Sequence, residues 1–168
     1  MSYYLDSNAW IHLSELPDFG SCISDAALNG SIRIFLSREN LYELVENPEI
    51  SEESRLANKA LLSSFELPTE PDSIFILDRG ILGETILATA ESEALFNGHL
   101  KHKGNPLKAV PDGVHLVNAK ALGAIMVSCD RQTRTTAISE GLDFLCLNQF
   151  LALPNFALPK RTVCVSCF

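Results

Sequence analysis

Short apolar runs and longer stretches of helical spacing take turns along this chain. Residues 3–6, Tyr3-Tyr4-Leu5-Asp6, read as a short buried strand. Residues 8–16 read as a helix stopped by Pro17, and residues 20–29 as a second helix closed by Gly30. Ile32–Leu36 has the β-branched and aromatic content of a strand and follows a Gly-Ser turn signal. Ser37 then offers an N-cap for a helix through Val45 or Glu46, ended by Asn47-Pro48. Another helix runs from Ser51 or Glu52 to about Phe65. Pro68 and Pro71 mark a loop, and Ser73–Leu77 reads as a strand.

The second half repeats the alternation. Residues 80–97 are rich in Ala, Leu and Glu and read as a helix stopped at Gly98. His99 to Val110 reads as a loop, after which Pro111-Asp112 opens a helix through Leu122, closed by Gly123. Ile125–Cys129 reads as a strand, Gln132–Glu140 as a helix ended by Gly141, and Phe144–Leu147 as a strand. In the tail 152–168, Thr162–Val165 could form an edge strand. Strands separated by helices imply parallel pairing. The fold class is therefore α/β, a three-layer α/β/α sandwich around a mainly parallel sheet. Residues 1–150 form one domain, and 151–168 an extension packed on it or extending it.

Composition narrows the class. With 168 residues the chain suits one domain, and 46% hydrophobic against 20% charged residues is far from a disordered composition. Its net charge of −8 argues against a bulk electrostatic grip on nucleic acid, although a local basic rim remains compatible with it. No apolar run reaches the ~18 residues of a membrane helix. The first residues lack the basic region of a signal peptide, so none is expected. Five cysteines are an odd number, and Cys129 and Cys146 lie in strand-like runs, which fits a reduced, cytoplasmic setting.

Four acids then stand out, each placed where a strand meets a helix. Asp6 ends the first strand, where an Asp would be disfavoured without a reason. Asp130 follows the strand Ile125–Cys129, two residues after Ser128. Carboxylates at the carboxyl ends of strands in an open α/β sheet face the crevice where ligands bind. Glu43 lies on the helix after the second strand, where Glu39, Glu43 and Glu46 share one face opposite Leu41, Leu44 and Val45. That face reads as a solvated one or as the source of a ligand, Glu43 first and Glu39 as its alternative. Asp112 opens its helix and reads equally as an N-cap. Asp6 and Asp130 also suit caps, a role compatible with holding a metal. Four carboxylates brought together repel one another unless a cation intervenes, and a hard divalent ion takes such oxygens. Asn8 and Ser128 are supporting candidates, able to orient a carboxylate or a metal-bound water. Arg131 and Arg134, beside Thr133, Thr135 and Thr136, are candidates for contacting substrate phosphate. His115 reads as a packed, hydrogen-bonded residue rather than a ligand.

These residues resemble the PIN-domain ribonuclease family. The matching stretches are Leu5-Asp6-Ser7-Asn8, Asn40-Leu41-Tyr42-Glu43-Leu44, Asp112-Gly113-Val114-His115-Leu116-Val117-Asn118-Ala119 and Val127-Ser128-Cys129-Asp130. The similarity spans residues 2–147 in order, and it is closest from Asp112 through Asp130 and on to Gly141-Leu142-Asp143-Phe144-Leu145. The chain departs from the family pattern at Thr133-Arg134-Thr135, where an aromatic residue is common, and in a longer segment 66–111. The resemblance implies an endoribonuclease that depends on Mg²⁺ or Mn²⁺, with Asp6, Glu43, Asp112 and Asp130 as metal-holding catalytic residues. It also implies an RNA substrate, and for a toxin of a toxin–antitoxin pair an antitoxin partner and a homodimer.

Other signals carry less. Cys164 and Cys167 have the spacing of half a zinc site, but no second half exists. His99, Lys101, His102, Lys103 and Lys108 make a basic stretch that suits either a solvated loop or a phosphate contact. Trp10, Phe19 and Phe35 are expected to pack in the core. The competing functional class is an inactive PIN-like binding or scaffold module. An Asp-nucleophile phosphatase would want a second Asp where Asn8 stands, and a receiver domain would want a middle-strand phospho-acceptor and a downstream Lys.

Overall fold

In a computed structural model, the structure describes residues 1–65, 67, 69–70, 95–100, 106–154 and 156. Among the described residues, five parallel strands form one sheet: β1 (Ser2–Leu5), β2 (Arg33–Ser37), β3 (Thr69–Glu70), β4 (Ile125–Ser128) and β5 (Phe144–Cys146). Their spatial order is β3-β2-β1-β4-β5, and every pairing is parallel. The register sets Tyr4 of β1 between Phe35 of β2 and Met126 of β4.

Strand side chains alternate between the two faces of a sheet, and here both faces are buried. Tyr3, Leu5, Ile34, Leu36 and Val127 join one core. Helices α1 (Ser7–Ser14), α2 (Pro17–Leu28) and α4 (Glu52–Phe65) cover that face. Trp10 meets Phe65 edge to face there, so Trp10 packs as expected. Tyr4, Phe35 and Met126 point the other way, towards Ala119 and Ala124. Helices α5 (Pro106–Ala121) and α6 (Arg131–Ser139) lie on that side, burying Leu116, Val117 and Ala137. The architecture is α/β with an all-parallel sheet, as the alternating pattern implied, and it is consistent with a three-layer sandwich.

Several boundaries differ from the sequence expectation. Helix α5 begins at Pro106, so Pro111 and Asp112 lie inside it rather than at its start. Proline is well suited to a first helical turn, and two prolines five residues apart offered two starts, of which the earlier prevails. Residues 95–100 are helical, so Gly98 is no stop and His99 is no loop residue. Gly30, Gly123 and Gly141 do end helices, all at positive φ where glycine is least strained. Strand β5 ends at Cys146, and a short helix α7 (Leu147–Leu151) follows it. Phe156 stacks edge-on against Phe150 of α7, which joins the start of the extension to the main core. The expected strands Ser73–Leu77 and Thr162–Val165, most of the 80–97 helix, and Cys164 and Cys167 lie outside the described residues.

The helix after β2 is the most informative departure. It is α3 (Arg38–Leu41), continued without a break by a π-helical turn, Tyr42–Glu46. The Asn47 amide donates to the Tyr42 carbonyl across five residues at 2.8 Å. Such a turn redirects every side chain after it and is frequent at functional sites. The three glutamates therefore do not share a face. Glu39 is buried, Glu46 pairs with the Arg38 guanidinium through two contacts of 2.5 and 2.6 Å, and Glu43 turns towards α5. Asn58 of α4 donates to the Leu44 carbonyl at 2.9 Å and holds the turn from behind.

Candidate functional site

The carboxyl ends of β1 and β4 lie side by side, with Leu5 opposite Val127. The chain runs outward from β1 in both directions, to β2 on one side and to β4 on the other. This is the switch point where open parallel sheets bind ligands. Asp6 stands at the end of β1 and caps α1, with Oδ1 accepting from the Ala9 amide at 2.8 Å. Its other oxygen accepts from the Ser128 hydroxyl at the end of β4. Only 2% of Asp6 is exposed. Burial pushes its carboxyl up from 3.8 to about 6, and the charge of Asp112 adds to the rise. His115, Ser128 and the Ala9 amide pull the other way without cancelling it.

Asp130 caps α6, accepting from the Thr133 amide at 2.6 Å. Its own amide donates to the Ser128 hydroxyl oxygen at 2.9 Å. Ser128 thus ties the two strand-end acids together, which supports its expected role. Asp112 lies partly buried on α5, with Oδ2 4.0 Å from His99 Nε2. His99 is itself buried and reaches Thr136 of α6 through Nδ1 at 3.0 Å. Asp112 lies inside its helix, which starts at Pro106, and not at the N-cap position that was one of its two sequence readings. Asn8 is exposed on α1, and the groups that orient Asp6 are Ala9 and Ser128 instead.

Glu43 reaches the site through His115. His115 Nε2 lies 2.7 Å from Glu43 Oε2 and 3.2 Å from Ser7 Oγ. On its other edge, Nδ1 lies 2.8 Å from the Tyr4 hydroxyl. That hydroxyl also meets Ser37 Oγ at 2.7 Å and the Asn118 amide at 3.3 Å. Asn40 completes the network. Its Oδ1 accepts from the Ser37 amide and its Nδ2 donates to the Leu5 carbonyl and Ser7 Oγ. Burial opposes a charge on His115, but Tyr4, Glu43 and Asp6 outweigh it and hold the imidazole well above the ordinary histidine range. Burial raises the Tyr4 phenol, so it stays neutral near pH 7.

The resulting cluster has an acidic floor and a buried polar backing. The structure brings Asp6, Ser128 and Asp130 into one bonded chain and sets Asp112 close enough to perturb Asp6. Glu43 joins by way of His115. Ser7, Tyr4, Ser37, Asn40 and Asn118 were missed in the sequence. The one available signal was the Ser37-x-x-Asn40 capping box. From Asp130, a cavity of about 590 Å³ extends along α6, lined by Arg131, Gln132, Thr135, Thr136 and Ser139. Arg131 is exposed at its mouth, whereas Arg134 is not among its lining residues.

The donor set suits a hard cation better than a soft one. Asp6 is a carboxylate raised by burial and by the charge of Asp112, a rise that His115, Ser128 and the Ala9 amide do not cancel, and a divalent ion would relieve both costs. Among the described residues, however, no three His, Cys, Asp or Glu side chains converge as a chelating group. An ion held by one or two carboxylates, and otherwise by water, matches that arrangement and the habits of Mg²⁺. Among the described residues no helix is long and apolar enough to cross a membrane. No protein-family model matches this chain, and no curated protein matches it.

Proposed function

We propose that this chain is a PIN-like, Mg²⁺- or Mn²⁺-dependent endoribonuclease that hydrolyses RNA phosphodiester bonds. The observation that carries the reading is Asp6. It is a buried carboxylate at the sheet's switch point, tied through Ser128 to Asp130 and facing Asp112. Stability alone would disfavour an ionised group there. A pocket that recruits a divalent cation explains it.

Asp6, Asp112, Asp130 and Glu43 are the residues that would hold the cation, directly or through water. When bound, such an ion lowers the pKa of water to supply a nucleophile and neutralises charge at the phosphate. The chain does the rest. Ser128 fixes the Asp6 carboxylate, and the Thr133 amide fixes Asp130, so both present oxygens to the crevice without reorganising. Arg131, exposed and lining the α6 cavity, would pair with a phosphate beside the one attacked. Arg134 donates its amide back to the Asp130 carbonyl, which holds the cap in place. A toxin role, with an antitoxin covering the acidic crevice and a homodimeric state, extends the same reading.

One observation favours a second reading, an inactive PIN-like binding or scaffold module. No three acids converge among the described residues, and one Glu43 oxygen already pairs with His115. A single experiment separates the two. Purified protein is incubated with a labelled structured RNA in Mn²⁺, in EDTA, and as the Asp6→Asn and Asp130→Asn variants. The nuclease reading expects cleavage that disappears in EDTA and in both variants. Intact RNA throughout, with folded protein and no Mn²⁺ binding, would leave the binding module.

A further inference from the structure

The four acids are not equivalent, and the difference lies in His115. Its imidazole is buried between α5, β1 and the π-helical turn, with side-chain exposure of 2%. Asn40 is oriented by two backbone groups, the Ser37 amide and the Leu5 carbonyl, so its oxygen faces Ser37. Two arrangements of hydrogens then satisfy the network. In one, Nδ1–H donates to Tyr4, Tyr4 to Ser37, and Ser37 to Asn40 Oδ1. In the other, Ser37 donates to Tyr4 and Tyr4 donates to a bare Nδ1. An ionised Glu43 opposite Nε2 accepts and cannot donate. In both arrangements Nε2 therefore carries a hydrogen and gives it to Glu43 Oε2, 2.7 Å away.

Resting on the metal-nuclease reading, we propose that His115 is a positioning residue that claims Glu43, so that the pocket takes one divalent cation without Glu43 as a direct ligand. A cation bound at Glu43 Oε2 would have to displace a short hydrogen bond from a buried ring, and it would sit against the positive edge of that ring. Glu43 then serves the site by fixing His115, and through it Tyr4 and Ser7, beneath Asp6.

Calorimetric titration with Mn²⁺ tests the assignment. The native chain should bind one ion. Asp6→Asn should weaken binding more than about 10-fold and Glu43→Gln less than about 3-fold, the smaller loss befitting an indirect partner. In a His115→Gln background, Glu43 is released, and Glu43→Gln should then matter as much as Asp6→Asn. Two ions on the native chain, or Glu43→Gln as damaging as Asp6→Asn there, would overturn the role of His115 and leave the metal site standing. No Mn²⁺ binding at all would overturn the nuclease reading instead. In that event, or if His115→Gln does not fold, nitrogen-15 spectra of the native imidazole decide. A proton on Nε2 whose resonance moves in Glu43→Gln supports the clamp, and a bare Nε2 refutes it.

Discussion

Replacing Asp6 with Asn removes the most strained charge in the fold, and its cost can be worked from the structure. The unfolded carboxyl titrates near its ordinary value of 3.8, the folded one near 6. Below the lower value both forms carry the proton, and no penalty exists. Between the two, only the folded chain holds the proton, so stability falls as pH rises. Above about pH 6 both forms are ionised and the penalty is complete. At about 1.4 kcal/mol per pH unit, it is on the order of 3 kcal/mol. Asn keeps an acceptor for the Ala9 amide, but it receives the Ser128 hydroxyl less well than a carboxylate does, a loss of about 1 kcal/mol. The variant should therefore be more stable than the native chain by about 2 kcal/mol near pH 7.5, and no more stable near pH 4. Urea unfolding at several pH values reads this as a midpoint difference of about 1 M that grows through the window and then levels off. Groups remote from Asp6 titrate alike in both proteins and cancel, whereas His115 loses the pull of the Asp6 carboxylate. Saturating Mn²⁺ should narrow the difference, since an ion at a hundred times its native Kd adds about 2.7 kcal/mol to the folded native chain and less to a variant that binds it more weakly. A variant less stable near pH 7.5, or a difference that ignores pH, would refute the account of Asp6.

Three further outcomes follow from particular contacts. Asn58→Ala leaves the Leu44 carbonyl of the π-helical turn without its amide, and should cost about 1–3 kcal/mol by urea unfolding. A loss below about 0.5 kcal/mol would mean the turn holds itself. Gly113→Ala would set a Cβ 2.7 and 2.9 Å from two ring carbons of Phe96. The overpacking, about 1–3 kcal/mol, should exceed the gain of about 1 kcal/mol in helix propensity and lower the melting temperature. A rise in melting temperature would mean that residues 95–100 do not sit this tightly on α5. Ser128→Ala removes both the donor to Asp6 and the acceptor for the Asp130 amide, and should weaken Mn²⁺ about 10-fold by calorimetry. Unchanged affinity would separate Ser128 from the site.

The strand ends were legible because they depend on local pattern. Tyr3-Tyr4-Leu5 is a doubly buried parallel strand, so all three positions are apolar, and the Asp that follows breaks the run and caps a helix. The same logic found Ser128 and Asp130. Asp112 was named as a residue but misplaced in its helix, because Pro111 was read as the start and the helix begins at Pro106. Glu43 was named for the company of the other acids, but its partner was not legible, because His115 lies 72 positions away and the turn that carries Glu43 is π-helical and backed by Asn58. The polar backing was not legible at all. Tyr4 and His115 are separated by 111 positions, and a tyrosine in an apolar strand is indistinguishable from core until the opposing helix is in place.

That backing is the strongest internal argument that this corner serves chemistry rather than folding. Tyr4, Ser7, Ser37, Asn40, His115 and Asn118 are all buried. A buried polar group contributes little net stability even when satisfied, and well-packed apolar side chains of similar volume are often as good or better. Elsewhere the same layer is filled with Phe35, Met126, Leu116 and Val117. The polar groups cluster where β1 ends, beneath Asp6, and they link the three elements that carry Asp6, Glu43 and Asp112. A satisfied network in a low-dielectric setting is rigid. Rigidity is what keeps the Asp6 carboxyl buried and costly to ionise, because a carboxylate free to turn would find water and lose its raised pKa. The same rigidity makes the site fragile to substitution. Removing one member leaves its neighbours buried and unsatisfied, so Tyr4→Phe should cost more than the one hydroxyl it deletes, and loosen Glu43 and Asp6 together.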